Sequence, residues 1–439
     1  MLGAMTPLDD RAAVRRLLDR LALGPRPGDL DRAFGETLDR LLAPPAPVTP
    51  PRLDPLPRPA AAGKGDKGGT GGTGGKEAKR RANAARAEQE RRVAVWWLDR
   101  LVADTTATER LTWFWHGHFA TSEQKVRSPR LMLVQNQALR AHATGSFTDL
   151  ATAMVTDPAL LLWLDGNDNR AGAPNENLAR EFLELFALGI GHYTETDVRE
   201  AAKALTGWRA TRDRDTATFD PDRHERAPVT LFGDRAPLDA PGFVARVLAR
   251  PESARFVVGR LWFRLVSAAP PPADALDRVV AAYGPGRDTA AALRAITAEP
   301  AFRDPANTLV KQPVDWFTGL CRALGVAPAA LPDKTLAKVR KGLTGMGQVP
   351  LRPPSVGGWP AAGAWLTTSA GAARLALAQA VVAGADLSAV GSDPVEGART
   401  LLGVDAWSPR TTSALEQVRA DPKHLVTVAA CAPEYVVSG

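Results

Sequence analysis

From about residue 90 onward the chain is written almost throughout in one grammar of helix, turn, helix, and this narrows the possible folds more than any other feature. Ser128-Pro129 is a helix start with proline at the first helical position, and Gly145 follows that helix's end. Asp157-Pro158 opens another helix. Thr194 to Asp197 reads as a capping box with Asp replacing the usual Glu or Gln, and Gly207 closes the helix that follows. Helical periodicity recurs near 242–250, 252–266, 274–283, 288–298, 311–324, 333–343, 370–383, 394–402 and 410–420. Alternation of period two is nearly absent; the one candidate is TATFDPDRHERAPVTLFG, residues 216–233, expected as a hairpin-like excursion. The expected fold class is therefore all-α, a multi-helical globular array. No apolar run reaches the ~18 residues of a membrane span.

One stretch breaks the grammar. Residues 44–76 are first Pro-rich, then Gly-rich, and neither half can bury a core. They are expected to be a disordered linker between an N-terminal helical segment, 1–43, that packs on the main domain, and that main helical domain, 77–439. GTGGTGGK resembles a phosphate loop only superficially, because Glu77 follows Lys76 where Ser or Thr is needed and no apolar strand precedes it. The net charge of +7 is concentrated here as well. Residues 64–92 hold nine Lys or Arg against four Asp or Glu, which leaves the rest nearly balanced. Weak polyanion binding is expected through 64–92 alone. Two cysteines, Cys321 and Cys431, make neither a disulfide framework nor a zinc knuckle. The opening residues lack the apolar stretch of a secretory signal, so the expected location is the cytoplasm.

Three segments concentrate chemically useful residues. Trp113 to Phe119 holds four aromatic residues and two histidines, His116 and His118, within seven residues. On an α-helix two such rings point about 200° apart, so joint metal binding requires Gly117 to break the helix. In PNENLAREFLELFALG, residues 174–189, one arc is apolar; Glu176, Asn177, Arg180, Glu181 and Glu184 fill the other. Glu176, Arg180 and Glu184 are spaced one turn apart and can pair. Periodicity alone leaves two readings: a solvated ion ladder worth little, or a buried carboxylate cluster in which crowding raises one carboxyl pKa and supplies an acid or base. The third segment, Gly189 to Glu195, is a tight turn carrying His192 and Tyr193, with Trp208 and His224 further on.

These stretches carry a family resemblance. FWHGHFATS, DPALLLWLD, PNENLAREFLELFALGIGHYTETDVREAAKALTGW, LRPPSVGGWP and WLTTSAGAARL resemble the uncharacterised bacterial family catalogued as domain of unknown function eighteen-hundred, from about residue 10 to the C-terminus. The resemblance implies no reaction. It does imply a signature that includes Trp115, His116, His118, Phe119, Asn175, Glu176, Asn177, Arg180, Glu181, Glu184, Tyr193, Trp208 and His224. A merely solvated face is not expected to define a family, and the resemblance therefore favours the buried cluster. Many members look exported and accompany a second uncharacterised, sulfatase-like protein, which implies such a partner.

Two classes of function follow. In the first, an enzyme or metal site forms where the segments meet. His116, His118 and His224 would bind a divalent metal such as zinc, iron or manganese. Glu176, Arg180, Glu181 and Glu184 would form the catalytic group, and Asn175, Asn177, Tyr193, Trp208 and Trp115 would contact ligand. Its metal-free form uses Glu181 and Glu184 as paired carboxylates. In the second, the chain is a non-enzymatic helical scaffold or partner-binding protein whose polar cluster holds helices together. Glu176, Arg180, Glu181 and Glu184 are expected inside the protein, facing His116 and His118.

Overall fold

The computed structural model describes residues 6–57 and 72–439. Among these, twenty-one helices and three two-stranded sheets form the fold, so the all-α expectation holds. The first twelve helices are α1 (Asp10–Leu21), α2 (Phe34–Leu41), α3 (Gly72–Ala103), α4 (Thr108–His118), α5 (Glu123–Val126), α6 (Pro129–Ala141), α7 (Phe147–Val155), α8 (Pro158–Trp163), α9 (Asn177–Glu181), α10 (Glu195–Ala204), α11 (Ala240–Leu248) and α12 (Pro251–Leu265). Nine more run from Ala273 to Val436.

Local chemistry sets many of these boundaries. Ser128 and Asp157 accept from the backbone N–H groups of Leu131 and Leu160, each ahead of a first-turn proline. At α10, Thr194 and Asp197 bond each other's backbone reciprocally, so Asp serves where Glu is usual. The excursion around 216–233 is two short antiparallel pairs, β1 (Trp208–Arg209) with β2 (Thr218–Phe219) and β3 (Val229–Leu231) with β4 (Asp234–Ala236). The third pair, β5 (Leu309–Val310) with β6 (Val437–Ser438), gives no alternating signal because each strand has two residues.

Side chains collect into two apolar cores. One holds Trp115, Phe119, Phe147, Phe182, Phe186, Phe243 and Trp262. The other holds Trp97, Trp113, Trp316, Trp359, Trp365 and Tyr435. Truncating one such aromatic residue to alanine costs about 3–5 kcal/mol. α4 lies between the cores: Trp115 packs into one and Trp113 into the other.

α1 is fixed by its arginines. Arg16 donates to the carbonyls of Phe302 and Asp304, both at 2.7 Å, and Arg20 to Ser438 at 2.9 Å. The expected linker falls partly outside the described residues, at 58–71. Residues 44–57 have no helix or strand, but three of their carbonyls accept hydrogen bonds from α3. Trp96 Nε1 donates to Thr49, Gln89 Nε2 to Asp54 and Arg92 to Arg52. Residues 72–76 belong to α3.

Candidate functional site

α4 runs unbroken through Gly117 to His118, so the two histidine rings diverge as helical geometry requires. His116 enters the second core, among Trp97 (centroids 5.2 Å apart), Trp113 and Trp359 (5.4 Å), and its Nε2 is buried without a hydrogen bond. His118 enters the first core, and its Nε2 lies 2.8 Å from the carbonyl oxygen of Phe186. Burial pulls the pKa of each ring down to about 3, and Arg260 adds to the effect at His118. His224 lies elsewhere, its Nδ1 3.0 Å from the carbonyl of Thr206. The three histidines are not brought together. Among the described residues no group of three or more His, Cys, Asp or Glu side chains is placed to hold a metal ion.

The signature segment changes pitch. After one α-helical turn, Phe182–Ala187 forms a π-helical stretch with the Leu188 N–H bonded to the Leu183 carbonyl at 2.9 Å. Its apolar arc, Leu178, Phe182, Leu183 and Phe186, is buried as the periodicity predicts. The polar arc does not face inward, which corrects the expectation that it lies buried against His116 and His118. Arg180 is one-third exposed at its side chain. It pairs with Glu195 through both terminal nitrogens, at 2.7 and 2.8 Å, and with Glu176 at 2.9 Å. Glu195 comes from the start of α10, and a sequence reading confined to one helix had no reason to include it. The same bonds hold the Arg180 guanidinium above its ordinary pKa and the Glu195 carboxyl below its own.

The asparagines serve the backbone. Asn175 Oδ1 accepts from the Asn177 N–H at 3.0 Å, Asn177 Nδ2 donates to the Leu164 carbonyl at 3.2 Å, and Asn169 Oδ1 accepts from the Asn175 N–H at 2.9 Å. Trp115 is fully enclosed and donates to the Ala143 carbonyl at 2.8 Å, which leaves it no open surface for a ligand. Trp208 is half-buried beside Phe219, with ring centroids 5.3 Å apart.

Three groups remain on the half-buried face. The Tyr193 hydroxyl donates to Glu184 Oε2 at 2.6 Å. Glu181 has no hydrogen bond to its carboxylate among the described residues, and partial burial followed by the nearby Glu184 charge raises its pKa. Burial and the bond to Glu184 push the Tyr193 phenol up to about 12. These groups place a carboxyl of raised proton affinity beside a second carboxyl that a phenol holds in position.

A second carboxyl pair was missed. Glu123, 2% exposed at the start of α5, faces Glu90 of α3, 33 residues earlier in the chain. Burial and the Glu90 carboxylate push Glu123 up to about 8, while Glu90 is held by Arg86 at 3.3 Å and Arg352 at 2.5 Å. The sequence offered no periodic relation between these positions.

A family model described as "Protein of unknown function (DUF1800)" matches residues 16–437, nearly the whole chain. No curated protein and no solved structure matches it.

Proposed function

We propose, for a chain that belongs to this DUF1800 family of unknown function, that the signature face is an acid–base site acting on a hydroxyl-bearing small molecule. This is the carboxylate-based form of the expected enzyme. Glu181 acts as the acid, Glu184 as the base, and Tyr193 positions Glu184. The observation that supports it is the asymmetry of the pair: Glu184 receives the Tyr193 hydroxyl at 2.6 Å, while Glu181 has no such partner and an elevated pKa. A carboxyl of raised proton affinity beside a second, hydrogen-bonded carboxyl is an ordinary arrangement for acid–base chemistry. The π-helical stretch that carries Glu184 supports it too, because such turns concentrate at functional sites.

The test joins a titration to a turnover screen. In a carboxyl-resolved NMR titration, Glu181 should titrate above the ordinary glutamate value, and Glu184→Gln should bring it down. In a panel of chromogenic esters and glycosides, any turnover should be lost in both Glu181→Gln and Glu184→Gln. A Glu181 that titrates normally, or turnover that survives both substitutions, would overturn the proposal.

A second reading has its own support. Arg180, Glu176, Glu195 and the asparagines are satisfied by one another and by backbone groups. On this reading the segment is a clamp between α9 and α10. It predicts no turnover in the panel, whatever the titration of Glu181.

A further inference from the structure

A different place in the fold, apart from the signature face, gathers enclosed or half-buried polar groups, several of which lack a partner among the described residues. α12 contributes Arg260 and Arg264 to a cleft where the two cores meet, and Arg110, His118, Gln312 and Trp359 line it with them. Among the described residues no carboxylate lines this cleft.

The cleft's local architecture is built from two stretches that the sequence marked. Gly358 has φ +81°, and a Cβ there would sit 2.3 Å from the Gly117 carbonyl oxygen. Only glycine lets this loop press onto the end of α4, and the contact sets Trp359 beside Trp113, stacked with centroids 4.9 Å apart.

The charges are unevenly compensated. Arg110 bonds Asp315 at 3.3 Å and the Arg20 carbonyl at 2.9 Å. Arg264 reaches only carbonyls, those of Trp359 at 3.0 Å and Pro360 at 3.3 Å. Arg260 has neither an ion pair nor a hydrogen bond among the described residues, and its Nε is enclosed. Burial pulls Arg264 down to about 10 and lowers Arg260 as well. At Arg264 the nearby Arg260 charge adds to the effect.

Two uncharged groups complete the pattern. Trp359 is 5% exposed, and its indole N–H has no acceptor. His118 is 3% exposed, and its Nδ1 has no partner. A carbonyl only accepts, so the Nε2 that meets Phe186 must carry the proton. Nδ1 is then a bare acceptor on a neutral ring.

Unmatched donors and one unmatched acceptor together describe a ligand. Its oxygens must take N–H groups from guanidinium and indole, and it must keep one hydroxyl to give to His118. We propose that this cleft binds an oxyanion of the hydrogen-phosphate class. The planar guanidinium fork suits such an anion. Hydrogen phosphate carries both accepting oxygens and an O–H, whereas sulfate at neutral pH carries the oxygens alone.

The experiment uses the full chain in a buffer free of both anions, with inorganic phosphate and sulfate added separately and followed by calorimetry and thermal denaturation. Phosphate should bind about tenfold or more tighter than sulfate, the effect of one hydrogen bond to a buried group. Arg260→Gln leaves no partner stranded. It should raise the midpoint without anion and abolish the rise that phosphate causes. Trp359→Phe keeps the stacking ring and should weaken phosphate by about tenfold. Equal binding of sulfate and phosphate, no phosphate binding at millimolar concentration, or binding that survives both Arg260→Gln and Trp359→Phe would each overturn the proposal. An Arg260→Gln protein less stable than the parent without anion would also count against it, because Arg260 would then have a structural partner.

Discussion

Replacing Arg180 by alanine and replacing Arg140 by alanine remove the same guanidinium from two different surroundings. The Arg180 side chain is 33% exposed, and its partners Glu176 and Glu195 are 36% and 64% exposed. When it is lost, water solvates both carboxylates. An exposed pair contributes about 0.2–1 kcal/mol, and the two-point contact with Glu195 places this one toward the upper end of that range. Arg140 is enclosed. Its side chain is 6% exposed and its partner Glu109 3%, with bonds of 2.6 and 2.9 Å. Without Arg140 the Glu109 carboxylate keeps one indole N–H, from Trp97 at 3.1 Å, and no opposing charge. A buried charge stranded in this way costs about 3–5 kcal/mol. The Arg140 guanidinium also lies over the Trp96 ring, 5.1 Å from its centroid, and that contact is lost too. Urea titrations of both variants against the parent, at a common slope, read the difference directly. Adding Glu109→Gln to Arg140→Ala should recover part of the loss, because the stranded charge is removed. A cost of 3 kcal/mol or more for Arg180→Ala would refute the placement of the polar arc at the surface, and one of less than 1 for Arg140→Ala would refute the enclosure of the Arg140–Glu109 pair.

Stability should peak at mildly acidic pH. Burial raises Glu123 to about 8 and Asp157 to about 7 above their unfolded values, so the stability they favour is present below about pH 4 and lost as pH rises toward those values. His116 and His118 are held down to about 3 from 6.5, so their contribution is present above 6.5 and lost as pH falls toward 3. Thermal midpoints across this range check the shape, and Glu123→Gln should flatten its alkaline side. Gly358→Ala forces a Cβ against the Gly117 carbonyl at positive φ and should cost about 2–4 kcal/mol by denaturant titration. Deleting residues 64–92 removes most of the net positive charge and should abolish most salt-sensitive retention on heparin; unchanged retention would move the polyanion contact onto the helical body.

What the sequence made legible was local. Thr194 with Asp197, Ser128-Pro129 and Asp157-Pro158 act through hydrogen bonds to backbone within the same turn, so their outcome does not depend on the rest of the fold. The helix around 289–298, for example, falls within a residue of where its periodicity put it. The polar arc of 174–189 was legible as an arc, but its direction was not. That direction depends on where α10 returns and on Glu195 reaching back to Arg180. Glu90 and Glu123 meet through tertiary packing alone. Arg260 and Arg264 did leave a signal. Two like charges one turn apart are unfavourable in isolation, and the carboxylate that α12 contains, Glu252, lies two turns before Arg260 at the far end of the helix.

The signature segment and the basic cleft are joined by one hydrogen bond, and this gives the signature a structural consequence beyond its own face. The change to π-helical pitch bonds the Leu188 and Gly189 N–H groups both to Leu183, and the Phe186 carbonyl is free to meet His118 Nε2. Gly189, with φ +84°, then ends the segment against Phe256, where a Cβ would approach the ring to 2.9 Å. Phe256 lies one helical turn before Arg260 on α12. The carbonyl fixes the tautomer of His118 and hence which nitrogen is left for a ligand, while Gly189 sets how closely α12 approaches. Substitutions at Gly189 or within Phe182–Ala187 should therefore alter phosphate binding in the cleft, although none of these residues lines it. Substitutions at Arg180 or Glu195, which act only on the outer face, should leave it unchanged.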